Sequence, residues 1–339
     1  MAKLYGGLKS PKQSSLRAVG TVPAATGGGG GDDDDVSWWQ ARINSLTPDP
    51  HWDDVALLMQ VHPDDAGQGH ASITSFTPDR KYPAIEYTNK RTNPAGHVYQ
   101  SSDRTAGSFM DFVAAEEDRN LPLGCGHLHN QFGCLEAAGS FDGTDYDPRQ
   151  DWTAEIVMCA NPLGNANNHD QTYASPWNFY GASNGYKWGW YSTNPGTGMM
   201  DSPYFYTNGG AQTFGAPAVS DPNGDRSAAW MVGGIRPRNM TVFYDHSATS
   251  ICLAVDGILC PTYGTAVNFS SYDQSACSGL YFSTRTDSVN SLVGSNPSYA
   301  WTTAFRFTWG DRYGLSGNMA TRGYPAQFTP DLIFPEQGA

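Results

Sequence analysis

Cys125, His127 and His129 stand at alternate positions, with Cys134 five residues further on. Two thiols and two imidazoles within ten residues are a donor set that zinc accepts, and a period of two places the first three on one face of a strand. Their order matches no familiar finger or ribbon spacing, so buried thiols beside surface histidines are the simpler account of the same four residues. Glu116, Glu117 and Asp118 are the densest acidic cluster after the run Asp32 to Asp35. Glycoside hydrolysis needs two carboxylates converging on one cleft, whereas adjacent strand residues point to opposite faces. A solvated loop explains that cluster better. The sequence holds no Gly-x-Ser-x-Gly elbow and no cysteine-protease signature. The tract Gly27 to Gly31 runs into four aspartates whose charge expels phosphate, so it is no phosphate cradle. No catalytic residue is expected.

The residues best suited to surface recognition are aromatic. Trp177, Phe179, Tyr180, Tyr186, Trp188, Trp190 and Tyr191 fall within fifteen positions, interspersed with Asn178, Asn184 and Asn194. Flat rings stack on sugar C–H faces while amides bond hydroxyls, which makes Trp177, Tyr180, Asn184, Tyr186 and Trp188 the candidate carbohydrate-binding set. Competing with this is the alternation of Tyr186, Trp188 and Trp190 with Lys187, Gly189 and Tyr191, the pattern of a half-buried strand; a core or interface role is the favoured one. Asp142, Asp145 and Asp147 are oxygen ligands on offer to calcium, the one cofactor left open, although turn chemistry alone accounts for them.

The elements that must position these residues are strands. Of the 339 residues, 13% are aromatic and only 16% charged, with Gly 38 and Pro 22. That composition suits a loop-rich chain burying rings between sheets, not one built on long helices. Trp152 to Cys159 puts Ala154, Ile156 and Met158 on one face and Thr153, Glu155 and Val157 on the other. Val55 to Val61 has the character of a first strand. Ile251 to Val255, Asp256-Gly257 and Ile258 to Cys260 form the clearest hairpin, because a type I′ turn needs positive φ at both central residues. Hairpins of this kind imply antiparallel neighbours and a sandwich.

Charge is segregated along the chain. Residues 1–31 carry Lys3, Lys9, Lys12 and Arg17 and no acid, which leaves −17 of the total −13 to residues 32–339. Glycine, proline and lysine there cannot bury a core, so residues 1–48 are expected to form an attachment arm, a basic strap reaching onto an acidic neighbour. A short helix is expected near 36–46, from the spacing of Trp38, Trp39, Ile43 and Leu46. The turn cluster Thr47-Pro48-Asp49-Pro50 marks the start of a sandwich over 49–339. An acidic body repels phosphate backbones and anionic membranes, so neither nucleic acid nor membrane insertion is expected. The opening Met-Ala-Lys-Leu-Tyr-Gly-Gly lacks the apolar block of a secretory signal, implying cytosolic synthesis and cysteines kept as buried thiols.

Four phrases in order resemble the concanavalin A/laminin-G-like domains of bacteriophage virion proteins. These are Asp49-Pro50-His51-Trp52-Asp53-Asp54-Val55; Phe132-Gly133 followed by Phe141-Asp142-Gly143-Thr144; Val255-Asp256-Gly257-Ile258-Leu259; and Arg306-Phe307-Thr308-Trp309-Gly310-Asp311-Arg312-Tyr313 before Phe328-Thr329-Pro330. The stretch 60–131 is longer and more polar than in that family. The resemblance implies a jelly-roll sandwich that binds instead of catalysing. It also implies a virion location, decoration of capsid or tail with the arm on other virion proteins, and a cell-surface glycan at the free face. A homo-oligomer is expected, with a trimer as the working guess. Alternatives are the receptor-binding lectin module of a tail fibre and a glycoside hydrolase with an atypical acid pair.

Overall fold

The computed structural model of the chain describes residues 37–65, 76–89, 110–114, 122–128, 135–160, 177–181, 187–192, 203–207, 210–214, 237–259, 262–264, 267, 269, 277–282, 300–316 and 328–339. Two compact units, Met1–Val36 and Ser37–Ala339, make up the chain, and the described residues all belong to the second.

Helix α1 (Trp38–Asn44) opens that unit. Ser37 starts it, its hydroxyl accepting the Gln40 N–H at 3.4 Å, and the pair Trp39 and Ile43, four residues apart, falls on one face. Both pack with Leu123 and Ile333. The helix therefore belongs to the folded body and not to the arm to which residues 1–48 were assigned from sequence. Of residues 1–48, the first 36 lie outside the described residues.

The strands are Val55–Gln60 (β1), Phe76–Pro78 (β2), Ile85–Asn89 (β3), Met110–Ala114 (β4), Gly124–Leu128 (β5), Leu135–Gly139 (β6), Trp152–Ala160 (β7), Trp177–Gly181 (β8), Lys187–Ser192 (β9), Pro203–Thr207 (β10), Gly210–Phe214 (β11), Arg238–Asp245 (β12), Ser250–Val255 (β13), Ile258–Leu259 (β14), Thr262–Gly264 (β15), Cys277–Phe282 (β16) and Ala300–Trp309 (β17). They form two sheets. The first runs β14-β13-β12-β7-β17-β5-β4, with β1 also paired to β17; the second runs β15-β11-β10-β9-β8-β16-β6-β3-β2. Every strand pairing is antiparallel. This is the β-sandwich expected of the sequence.

Rings from the two sheets meet in the middle. Trp152 of β7 lies 6.1 Å edge-on from Trp177 of β8 and 5.6 Å from Phe205 of β10. Phe307 of β17 meets Phe179 of β8 at 5.6 Å, and Phe305 meets Trp177 at 5.8 Å. Such edge-to-face and tilted contacts add to the burial of large apolar area. The β13–β14 hairpin turns through Asp256 at φ 50° and Gly257 at φ 79°, as the Asp-Gly signal requires.

The opposite face of the first sheet is covered as well. Three satellite clusters sit there, and the C-terminal segment 328–339 contributes to each. Phe334 and Leu332 pack with Val55, Leu58, Val157 and Ala304; Phe328 packs with Phe243, Leu259 and Tyr313; Ile333 packs under α1. An isolated parallel bridge between Asp49 and Gly338 ties the segment to the entry of the body.

Candidate functional site

Beneath that segment lies a cluster of charges. The register of β12, β7, β17 and β1 sets Thr241, Glu155, Arg306 and Leu58 in one row across the sheet. Glu155 and Arg306 are thus direct cross-strand neighbours on the face away from the aromatic core. Arg306 reaches Glu155 Oε2 through Nε at 2.8 Å and Nη2 at 2.7 Å, Asp49 Oδ2 at 3.3 Å and Asp331 Oδ2 at 3.4 Å. Its guanidinium lies 4.1 Å from the Phe334 ring centroid. Tyr313 donates its hydroxyl to Glu155 Oε1 at 2.6 Å, and Asn239 donates to the same oxygen at 3.3 Å. Arg312 pairs with Asp49 and approaches Glu155 at 3.6 Å.

The side chains of Arg306, Glu155 and Asp49 have no exposure, while that of Asp331 is 50% exposed. Burial pushes the Asp49 carboxyl up, but the Arg312 hydrogen bond and the Arg306 charge outweigh it, so the group sits below its ordinary value. Asp331 goes the other way, raised by burial and by the Glu155 charge against the pull of Arg306. Tyr313 is raised by burial and by Glu155, and Arg306 is raised by Glu155 despite burial. Perturbed carboxylates around two arginines have the ingredients of an acid–base centre. Only Asp331 of these acids reaches solvent; Asp49 and Glu155 are closed from it and held by donors. The geometry is that of a lock holding the C-terminal segment on the sheet.

A second polar hub closes the edge between the sheets. Asp79, fully buried, accepts from Leu58 N at 2.6 Å, Tyr87 Oη at 2.7 Å, Tyr82 N at 2.8 Å and Lys81 N at 2.9 Å. Met59 of β1 bridges to Asp79, so this residue joins the first sheet to the hairpin of β2 and β3 in the second. Burial raises its carboxyl, with the four donors pulling back. Nearby, Arg80 pairs with Asp65 at 2.5 Å, and His62 meets Glu336 of the C-terminal segment at 2.6 Å.

The surface next to this hub is aromatic. Lys81 directs its ammonium at the carbonyls of Trp52, Asp53 at 3.2 Å and Val55 at 2.8 Å, and the Trp52 and Tyr82 ring centroids each lie 5.3 Å from it. Tyr82 is 44% exposed. Neither sequence pattern nor composition singled out Asp79, Lys81 or Tyr82; the short acid-bounded turn Asp79-Arg80-Lys81-Tyr82-Pro83 was the only available signal.

The residues singled out from sequence fare differently. Trp177 is a core residue: its ring has no exposure and is enclosed by Trp152, Phe179, Phe205 and Phe305, which closes both its faces to a sugar. Tyr180 and Trp188 lie on β8 and β9, where Tyr180 is opposite Lys187 and Trp188 opposite Phe179. Their side chains, and Asn184 and Tyr186 entirely, lie outside the described residues, as do Lys3, Lys9, Lys12 and Arg17. Cys125 and His127 are strand positions of β5, while His129, Cys134 and the cluster Glu116 to Asp118 fall outside the description. Asp142 caps a short 3-10 turn, accepting from Thr144 N at 2.9 Å, and Asp147 pairs with Arg149 at 2.6 Å. Those carboxylates are engaged in turns. Among the described residues no group of three or more His, Cys, Asp or Glu is placed to hold a metal, and no helix is long and apolar enough to cross a membrane.

No protein-family model matches the chain, and neither does any curated protein sequence. Solved structures similar to it include the botulinum neurotoxin serotype C1 binding domain, at 8% identity and TM-score 0.39 over 77% of this chain and 50% of that one. A mutant Trypanosoma rangeli sialidase displaying trans-sialidase activity gives 9% identity and TM-score 0.36 over 77% and 32%. The heptameric SAP-like pentraxin of Limulus polyphemus gives 11% identity and TM-score 0.29 over 46% and 61%. The chain spans about half the length of the first of these. The sandwich itself is established by the strand pairing and cross-sheet contacts of this chain.

Proposed function

We propose that this protein works by binding, as a lectin-like sandwich displayed on a bacteriophage virion, where it decorates capsid or tail. The observation that carries binding over catalysis is the state of the carboxylates. Among the described residues, Glu155, Asp49 and Asp79 are buried and each is held by three or more donors, which supports a structural use of these carboxylates over a catalytic one. The virion assignment comes from the laminin-G-like phrases, and attachment from the segregated charge: a basic leader ahead of a body carrying −17. A strap of that sign docks on an acidic neighbour through screened, salt-sensitive pairing. The glycan target is a host-surface saccharide met at the free loops.

Deletion of residues 1–31 tests the attachment role. Particles assembled with the shortened chain are expected to lose it during purification while its melting transition stays unchanged. Undiminished incorporation of the shortened chain overturns attachment through the arm.

A further inference from the structure

The surface between Trp52 and Tyr82 has the features of a prepared ligand platform. Tyr82 is at the tip of the β2–β3 hairpin, and that tip is fixed. Asp79 accepts the N–H groups of both Lys81 and Tyr82, Asp79 N donates to Ile85 O at 2.8 Å, and Ile85 N donates to Tyr82 O at 2.8 Å. Trp52 is fixed from below. It packs on the Val55, Leu58 and Phe334 cluster, and Gly338 comes so near that an added Cβ would lie 2.9 Å from the Trp52 side chain. Between the rings, Lys81 spends its three ammonium hydrogens on three main-chain carbonyls. The lysine therefore pins the two aromatic segments together and has no donor left for an anion. A rigid pair of rings loses little conformational entropy on binding.

From this we infer that Trp52 and Tyr82 form a stacking platform for one neutral saccharide ring, a proposal that rests on the glycan-binding reading above. Within saccharides, charge narrows the class to those without an anionic group. Asp53 and Asp54, exposed on the same turn as Trp52, offer acceptors to sugar hydroxyls and repel a carboxylated or sulfated sugar. The −17 of residues 32–339 acts in the same direction.

The test is binding of the full chain to an array carrying neutral and sialylated glycans, with Tyr82→Ala and Tyr82→Phe beside the wild type. Tyr82 is exposed and its ring makes no core contact among the described residues, so both variants should melt with the wild type. The expected result is binding to a neutral glycan, weakened about tenfold or more by Tyr82→Ala and kept by Tyr82→Phe. Wild-type binding untouched by Tyr82→Ala overturns the platform while the lectin reading survives. Binding confined to sialylated glycans overturns the ligand class, and no binding to any glycan overturns the lectin reading and the platform together. Should Tyr82→Ala melt early, Tyr82→Leu decides: weakened binding at a wild-type melting temperature supports the platform, and undiminished binding refutes it.

Discussion

Replacing Arg306 by Met tests whether the charges under the C-terminal segment act as one unit. The substitution keeps an unbranched apolar stem but removes two contacts to Glu155 at 2.7 and 2.8 Å and longer ones to Asp49 and Asp331. Asp49 retains Arg312, whereas Glu155 is left with two neutral donors and an arginine at 3.6 Å. Stripping one partner from a buried pair costs about 3 to 5 kcal/mol, because the remaining charge stays desolvated. Glu155→Leu should cost a similar amount by leaving the buried Arg306 with only its longer pairs to Asp49 and Asp331. The double variant Glu155→Leu/Arg306→Met removes both charges together and leaves Asp49 and Arg312 paired with each other. It should recover at least about 2 kcal/mol of the summed single losses, the remaining deficit coming from the Tyr313 hydroxyl without its acceptor. Urea denaturation of the four proteins, followed by tryptophan fluorescence, measures this cycle. Limited proteolysis near residue 328 should run faster in Arg306→Met, since the cation over Phe334 helps hold the segment down. Additive losses, or an Arg306→Met loss under about 1 kcal/mol, would refute the claim that these groups form one coupled lock.

Three further outcomes follow from the geometry. Gly257→Ala places a Cβ 1.8 Å from the Phe328 carbonyl oxygen at a residue with φ 79°, so it should destabilise by about 2 kcal/mol or more and loosen the C-terminal segment, read by denaturation and proteolysis. Asp79→Asn turns an acceptor of four donors into a group with only one acceptor oxygen, and should cost about 2 to 4 kcal/mol; Tyr87→Phe, which removes one donor, should cost about 1 to 2 kcal/mol. Acid titration separates two carboxylates of opposite sign. The folded value of Asp49 lies below the ordinary 3.8, so its contribution is present above that pH and is lost as pH falls through the folded value. That of Asp79 lies above 3.8, so its ionisation costs stability as pH rises from 3.8 through the folded value. Denaturation midpoints measured from about pH 2 to about pH 7 should show a shallower acid loss in Asp49→Asn than in the wild type.

The sandwich was legible because its signals are local. An Asp-Gly pair between apolar runs fixes a hairpin wherever it occurs, and the alternation in Trp152 to Cys159 assigns alternate residues to opposite faces without reference to any partner. The helix at Trp38–Asn44 was legible for the same reason, although its place in the body was not: its partners Leu123 and Ile333 are far along the chain.

Alternation tells which residues share a face, but not what covers that face. Thr153, Glu155 and Val157 share the face away from the aromatic core, and in the structure all three are buried, Val157 under Phe334 and Leu332, Glu155 beside Arg306, and Thr153 against Gly310 and Arg312. At Trp177 the favoured core role holds and the competing candidacy for sugar binding fails. Rings in a loop-rich stretch suggest a surface for sugars, yet the two-sheet packing needed that ring inside. Two sheets with an aromatic interior consume most large rings, so an exposed one at a fixed position carries more weight than a dense aromatic run. That is why Tyr82, at a pinned hairpin tip, outweighs the buried Trp177 as a place to look for a ligand. The sequence offers a hint of it only in hindsight: Asp79 followed by Lys81, Tyr82 and Pro83 is a turn whose carboxylate can cap its own backbone, and such a turn can hold a ring still in solvent.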